Sequence, residues 1–418
     1  MGAETTSKDE DSAIVPRYYE CVISGQLFYA PGSVEDCLQR RRTCTGWRVD
    51  GVLTEVGPVS ATRLIVYEAA CDEFEARKVG GHREDYIQEL IEDPEFVSGV
   101  LVGRAKREVL SVLSQITGSP ETYKNINELR NFLLEGIRME DYKNFDYAGK
   151  GLELRPAMEC LMQEIRTVKF FKALQEALDR LDGIKDEIQV VDAGSGPIPI
   201  FAIIAALLND KVKATCLEVN SKSAEMAMRI IDNLGLSDRV DVVRGDAIYY
   251  VHDKPIDLLI SETMYAGLMN GEEMVDILRH LRQQSFRDGE VIPKCVTVNA
   301  GMALRGNRHS CSVPEDELMI PLRKVYEYNA ETNDKERMIE FSFDLSSLPR
   351  AGEYRLVLSS DVVLGEGLSL SGDDTNITRP FKVKTIIHVR EEDLDKVLKI
   401  SYWPGQHEED IKMEFAER

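Results

Sequence analysis

No run of residues in this 418-residue chain is long and apolar enough to span a bilayer, and the first dozen residues, Met1 to Ser12, are polar and acidic. On that pattern neither a signal peptide nor a membrane anchor is expected, and the protein reads as cytoplasmic. Closely spaced cysteines are also missing: Cys21, Cys37, Cys44, Cys71, Cys160, Cys216, Cys295 and Cys311 are scattered, with no metal-ligand spacing. They read as reduced thiols, and no metal site is expected. The six histidines stand apart from one another, so none is assigned to catalysis. Positive charge is scarce too, with 51 Lys and Arg against 73 Asp and Glu and a formal charge of −22. Such a field repels nucleic acid and favours encounter with cations. The one compact basic cluster, Arg40 to Arg42, reads as a solvated face.

What the chain does have is length for two or three domains and a 43% hydrophobic content spread over alternating patterns. The organising stretch runs from Gln189 to Glu273. A short apolar run ends in Asp192, Gly194 and Gly196, and the apolar segment Ile198 to Leu208 follows, which reads as strand, tight turn and helix. Glycines there let the backbone approach a ligand. A second strand ends in Glu218, 24 residues after Gly194, a spacing suited to a ribose diol. Where a dinucleotide fingerprint wants its third glycine the chain has Pro199, so a nucleoside is expected and a nicotinamide or flavin cofactor is not. A third run, Val240 to Val243, leads into Arg244-Gly245-Asp246-Ala247, and a fourth spans Ile256 to Ile260. This order resembles the class I S-adenosylmethionine-dependent methyltransferases. The resemblance implies that the Asp192 to Gly196 loop holds the methionine part of the cofactor, Glu218 the ribose, and Asp246 with Ala247 the adenine.

After the fourth run comes Ile260-Ser261-Glu262-Thr263-Met264, then Gly271-Glu272-Glu273-Met274. An acid at a strand's carboxyl end lies in the crevice where open α/β sheets bind ligands. The segment resembles the double-glutamate loop of the protein arginine methyltransferases, with Glu262 as the first glutamate and Glu272 or Glu273 as the second. Leu161 to Thr167 is similar to the family's helix whose arginine meets the cofactor carboxylate, which gives Arg166 that role, although Cys160 and Gln163 depart from the pattern. Gly289 to Pro293 resembles the junction into the family's β-barrel, and Phe145-Asp146-Tyr147 resembles the helix that closes over cofactor, adding Tyr147 to the cofactor-binding set. The chain departs from the family where acceptors are recognised. A Thr-His-Trp loop is missing, with Ser401 to Pro404 the nearest string, and the helical dimerisation arm has at most a short counterpart around Glu315 to Tyr328.

Paired carboxylates suit a guanidinium, which stays protonated at ordinary pH and is a poor nucleophile because its nitrogens share their lone pairs with the central carbon. Charge-assisted hydrogen bonds fix its plane and draw positive charge away from the nitrogen to be methylated. The expected fold is α/β: a disordered tail (1–14), an α+β accessory domain (15–140), a Rossmann-like S-adenosylmethionine-binding domain (141–293) and a β-barrel-like substrate domain (294–418). Within the first 140 residues, Tyr19 to Ile23, Gln26 to Tyr29 and Arg63 to Tyr67 read as strands, and Tyr86 to Ile91, Lys106 to Ile116 and Ile126 to Ile137 as helices; Pro156 to Leu181 reads as one long helical segment. The expected activity is N-methylation of an arginine guanidinium. Free L-arginine or a small guanidino metabolite is favoured, with an Arg-rich peptide or a non-catalytic scaffold as alternatives, and the resemblance implies a homodimer.

Overall fold

The structure is a computed structural model and describes residues 17–21, 27–30, 46–49, 52–55, 66, 69–70, 72–74, 76–77, 83–114, 121–134, 137, 152, 154–271, 273–306, 313, 315–332 and 337–418. The chain divides into two compact units. One comprises Met1–Arg104, Leu134–Asp141 and Asn233–Gly235; the other comprises Ala105–Leu133, Tyr142–Asp232 and Leu236–Arg418.

In the first unit, strands β1 (Arg17–Cys21), β2 (Leu27–Ala30), β3 (Gly46–Val49) and β4 (Val52–Glu55) form an antiparallel sheet in the order β2-β1-β3-β4. The β3–β4 pair flanks Asp50-Gly51, the turn signal in the sequence. Val66, expected within a strand, is helical and buried. Helix α1 (Arg83–Glu92) is separated from α2 (Pro94–Ser114) by Asp93, whose Oδ1 accepts from the Glu95 amide at 3.0 Å. An acidic N-cap followed by proline starts a helix cleanly, because the carboxylate takes an otherwise orphaned N–H and proline has none to lose.

The second unit contains α3 (Glu121–Leu133), α4 (Leu154–Cys160) and α5 (Glu164–Asp182) ahead of a five-stranded parallel sheet. The segment expected as one helix from Pro156 to Leu181 is therefore two. The break has a local cause: the Thr167 hydroxyl donates to the Leu161 carbonyl at 2.9 Å and the Arg166 guanidinium to the Cys160 carbonyl, so side chains replace the helical ladder there. Helix α5 buries Phe170, Phe171, Leu174, Ala177, Leu178 and Leu181, the stripe that a 3.6-residue period brings to one face.

The parallel strands are β5 (Ile188–Ala193), β6 (Val212–Glu218), β7 (Val240–Arg244), β8 (Ile256–Ser261) and β9 (Ser285–Ile292), in the order β7-β6-β5-β8-β9. Helices α6 (Ile200–Leu208), α7 (Ser221–Asn233) and α8 (Met274–Arg282) connect them. Strands β5 and β8 are buried along their whole length, which is why they read as continuous apolar runs rather than alternating ones. Strand order reverses between β5 and β8, and at such a switch point the loops leaving the two strands diverge and open a crevice.

Beyond the cis Ile292–Pro293 peptide the strands are antiparallel. Strands β10 (Cys295–Leu304), β11 (Leu318–Asn329), β13 (Gly352–Gly365), β14 (Leu368–Leu370) and β15 (Phe381–Val389) form one sheet. Strands β12 (Ile339–Asp344), β16 (Val397–Tyr402) and β17 (Lys412–Ala416) form another. The expected barrel is not closed: β12 pairs with β16 and not with its sequence neighbour β11, which leaves β11 at the edge of its sheet. The segment expected to hold at most a short counterpart of the helical arm, Glu315 to Tyr328, is a single 3-10 turn followed by β11. Pro321 explains this, since proline breaks a helix interior and is tolerated in a strand at a sheet edge.

Candidate functional site

A cavity of about 400 Å³ opens at the carboxyl ends of β5, β6 and β8 and is lined by Asp192, Gly194, Gly196, Glu218, Asp246, Ala247, Arg166, Glu262 and Glu273 among others. That volume is in the range of small-molecule sites. Tyr147 and Glu272, both expected to contribute, lie outside the described residues.

The turn after β5 is built on two left-handed glycines, Gly194 (φ 77°) and Gly196 (φ 68°). A Cβ on Gly194 would stand 2.0 Å from the Thr263 methyl, so only glycine fits beneath the loop that leaves β8. The Gly194 and Ser195 amides donate to the Leu217 carbonyl at 2.9 and 3.2 Å, and the Gly196 amide donates to Glu218 Oε2 at 2.8 Å. Glu218 Oε1 accepts from the Asn220 amide at 2.6 Å. A carboxylate has about four acceptor directions, so Glu218 can tie the turn together and keep acceptor capacity for a ligand. Burial raises its carboxyl above the usual range, against the pull of the Asn220 and Gly196 N–H groups.

Asp192 is 1% exposed and accepts from the Ala202 amide in the first turn of α6 at 3.3 Å. Burial pushes its carboxyl up to about 7; the Ala202 N–H opposes that rise and the neighbouring Glu218 and Glu262 add to it. At the outer wall the Asp246 carboxylate accepts from the Ile248 amide at 3.1 Å, forming a tight turn that places the buried Ala247 in the cavity lining.

Arg166 and Glu262 meet, a pairing that sequence spacing did not indicate. Arg166 Nη1 donates to Glu262 Oε1 at 2.7 Å, with the two side chains 5% and 15% exposed. Burial raises the Glu262 carboxyl, and the Arg166 charge works against it. Ser261, just before Glu262, donates to the Ala193 carbonyl at 3.1 Å and contacts the Thr263 hydroxyl at 2.9 Å, stitching the ends of β5 and β8 together. Glu273 stands at the N-terminus of α8 and lines the cavity.

The loop between the two acids has an unusual backbone. Gly267, Leu268, Asn270 and Gly271 have φ of 72°, 55°, 63° and 81°. For the two non-glycines this costs roughly 1–2 kcal/mol each. The loop is held by distant partners. The Gly267 amide donates to Ser360 Oγ at 2.9 Å, the Tyr402 hydroxyl donates to the Gly267 carbonyl at 2.9 Å, and the Asn270 and Gly271 amides donate to the Gln406 and Gly405 carbonyls at 2.8 Å. Ser401 to Pro404 thus closes β16 and begins the turn that grips this loop.

The loop between β14 and β15 is tied to the start of α5 by Gln163, whose Oε1 accepts from the Asn376 amide at 3.2 Å and from the Thr375 hydroxyl. It brings Asn376 and Ile377 to the cavity. These residues, with Thr263 and Tyr402, have no spacing signature and were not foreseen.

No protein-family model matches the chain, and no curated protein does. Among solved structures, it is similar to a chain of the Trypanosoma brucei PRMT1 enzyme-prozyme heterotetrameric complex with AdoHcy. The identity is 16%, the match covers 58% of this chain and 86% of that one, and the TM-score is 0.42. No helix among the described residues is long and apolar enough to cross a membrane, and no group of three or more His, Cys, Asp or Glu among them is placed to hold a metal ion.

Proposed function

We propose that this protein is an S-adenosylmethionine-dependent N-methyltransferase acting on an arginine guanidinium, with free L-arginine or a small guanidino compound as the favoured acceptor. The observation that carries the reading is Glu262, a partly buried carboxylate just after β8 in the same cavity as the Gly194–Gly196 turn and Glu218, already paired with a guanidinium from its own chain. The residues present fit the cofactor: Glu218 has acceptor directions left for ribose hydroxyls, Asp246 and Ala247 offer a wall for the adenine, and Arg166 is a buried cation suited to a carboxylate.

When bound, S-adenosylmethionine would supply a sulfonium methyl for the acceptor nitrogen, its sulfur keeping the electron pair of the carbon–sulfur bond. The Glu262 carboxylate binds two edge N–H groups of the acceptor, sets its plane and draws charge towards the nitrogens it touches. Glu273 or Glu272 completes the clamp from the other end of the loop. The nitrogen left over faces the methyl, and holding it there supplies much of the rate through orientation. The proton on that nitrogen becomes acidic once the new bond has formed and passes to solvent water.

The test is transfer of label from S-adenosylmethionine to free L-arginine and to an Arg/Gly-rich peptide, using the wild type and Glu262→Gln. Transfer to arginine should fall about a hundredfold or more in the variant, because charge stabilisation at the reacting group is lost. Donor binding measured by calorimetry should persist. Transfer to the peptide alone would move the acceptor to proteins, and donor binding without transfer to either would overturn the guanidinium assignment.

A further inference from the structure

Tyr402 does not line the cavity, yet it reaches the loop that joins the two acids. Its ring is 1% exposed and its hydroxyl donates to the Gly267 carbonyl at 2.9 Å. Burial pushes that hydroxyl well above its ordinary value, with Tyr326 adding to the shift, so it stays a donor at any working pH. Past Tyr402 the chain turns at Trp403 to Gln406, and three backbone hydrogen bonds run between this turn and the loop, each at 2.8 Å: Gly405 N–H to the Leu268 carbonyl, Asn270 N–H to the Gln406 carbonyl, and Gly271 N–H to the Gly405 carbonyl. On the opposite side Ser360 Oγ receives the Gly267 amide, and a Cβ on Gly267 would lie 3.0 Å from the Leu358 side chain. Every left-handed residue of the loop is therefore bonded to an element more than 90 residues away in sequence. Gly271 itself lines the cavity, and Glu273, two residues on, both lines it and starts α8. A loop free to relax its unfavourable dihedrals would carry the acid with it.

We propose that Tyr402 is a positioning residue for the acceptor: with the Trp403–Gln406 turn it holds the 267–271 loop in its left-handed course and so sets where Glu273 meets the acceptor cation. The inference rests on the proposed guanidinium reading for the identity of the acceptor, but the strut itself is a property of the loop. Cofactor-side residues are held by a separate network, Glu218 with Gly196 and Asn220, to which Tyr402 contributes nothing.

The experiment compares full-length wild type with Tyr402→Phe, which removes one oxygen, and with Ser360→Ala, which releases the same loop from the other side. Three quantities are read: hydrogen exchange at the Asn270 and Gly271 amides, donor affinity by calorimetry, and kcat and KM for L-arginine at saturating donor. The expected result for Tyr402→Phe is faster exchange at both amides, donor affinity unchanged within about twofold, and kcat/KM for arginine down about tenfold, the loss expected of one hydrogen bond. Ser360→Ala should move the same quantities in the same direction. Unchanged exchange and unchanged kcat/KM in both variants would overturn the proposal. So would a parallel loss of donor affinity and thermal stability with activity, which would make Tyr402 a general fold residue. If wild type methylates no guanidinium while exchange at 270 and 271 rises in both variants, the strut stands and the acceptor assignment fails.

Discussion

The two walls of the cavity are built in opposite ways. The wall formed by Asp192 to Gly196 and Glu218 comes from neighbouring strands of one parallel sheet, and its defining contact, Gly196 to Glu218, joins residues 22 positions apart. The wall formed by Tyr265 to Glu273 depends on β13 and on the turn after β16, with Tyr402 and Gly267 separated by 135 positions. The first wall needs little beyond its own supersecondary unit. The second takes its shape from two other sheets, so the two should fail independently: on the proposed function, damage to the first disturbs donor binding and damage to the second disturbs the acceptor.

The hardest test of that independence is Gly194→Ala, which affects a place where the turn after β5 meets the loop that leaves β8. The new methyl meets Thr263 at 2.0 Å on a backbone with φ of 77°, and we expect stability to fall by roughly 2–5 kcal/mol together with loss of donor binding. Denaturant titration checks this, and adding Thr263→Ser, which removes the offending methyl, should recover about 1 kcal/mol through coupling between neighbours. A smaller effect is expected for Glu218→Gln. The amide cannot accept from both Gly196 and Asn220 N–H groups and still receive hydroxyls, so calorimetric donor affinity should fall about tenfold or more. Turnover at saturating donor should stay near wild type, the reverse of the Glu262→Gln pattern. If Glu218→Gln lowers turnover as strongly as affinity, the walls are not independent.

The smallest effect is pH-dependent. The Asp192 carboxyl keeps its proton up to about pH 7 in the folded protein. The folded state therefore holds this proton more tightly than the unfolded chain does, and the stability it contributes is full below the ordinary carboxylate range and is lost as pH rises towards 7. In Asp192→Asn the group no longer titrates, so denaturation midpoints measured from pH 4.5 to 8 should decline less with pH than in wild type. An unchanged slope would mean that the carboxylate is already ionised when folded.

The contrast between the walls also explains what could be read from sequence. Gly194, Gly196, Glu218 and Glu262 sit at the ends of short apolar runs, and a run's end is a local property of the chain, so their placement in one crevice follows from the order of the strands. Gly194 and Gly196, five and three residues ahead of Pro199, were likewise enough to mark a turn without the third glycine of a dinucleotide site. Arg166 and Glu262, by contrast, are 96 residues apart, and nothing in either segment announces their ion pair. The break between α4 and α5 depends on side chains of Arg166 and Thr167 outbidding the helical ladder, which apolar periodicity does not register. Pro321 was the overlooked local signal for β11: read as an obstacle to helix it also argues for an edge strand. Closure of the C-terminal strands into a barrel is a question of which edges pair, and alternation within a strand is silent on it.

The long reach from Tyr402 to Gly267 bears on the order in which the molecule is assembled. Contacts that close long stretches of chain form slowly, because the entropy of closure is lost before the contact returns anything. The turn between Gly194 and Gly196 can form with the parallel sheet alone, whereas the 267–271 loop cannot take its left-handed course until β13 and β16 have docked. A partly folded chain of this protein would thus acquire the wall of Asp192 to Gly196 and Glu218 first and the 267–271 loop last, and melting of the C-terminal sheets would undo them in the reverse order.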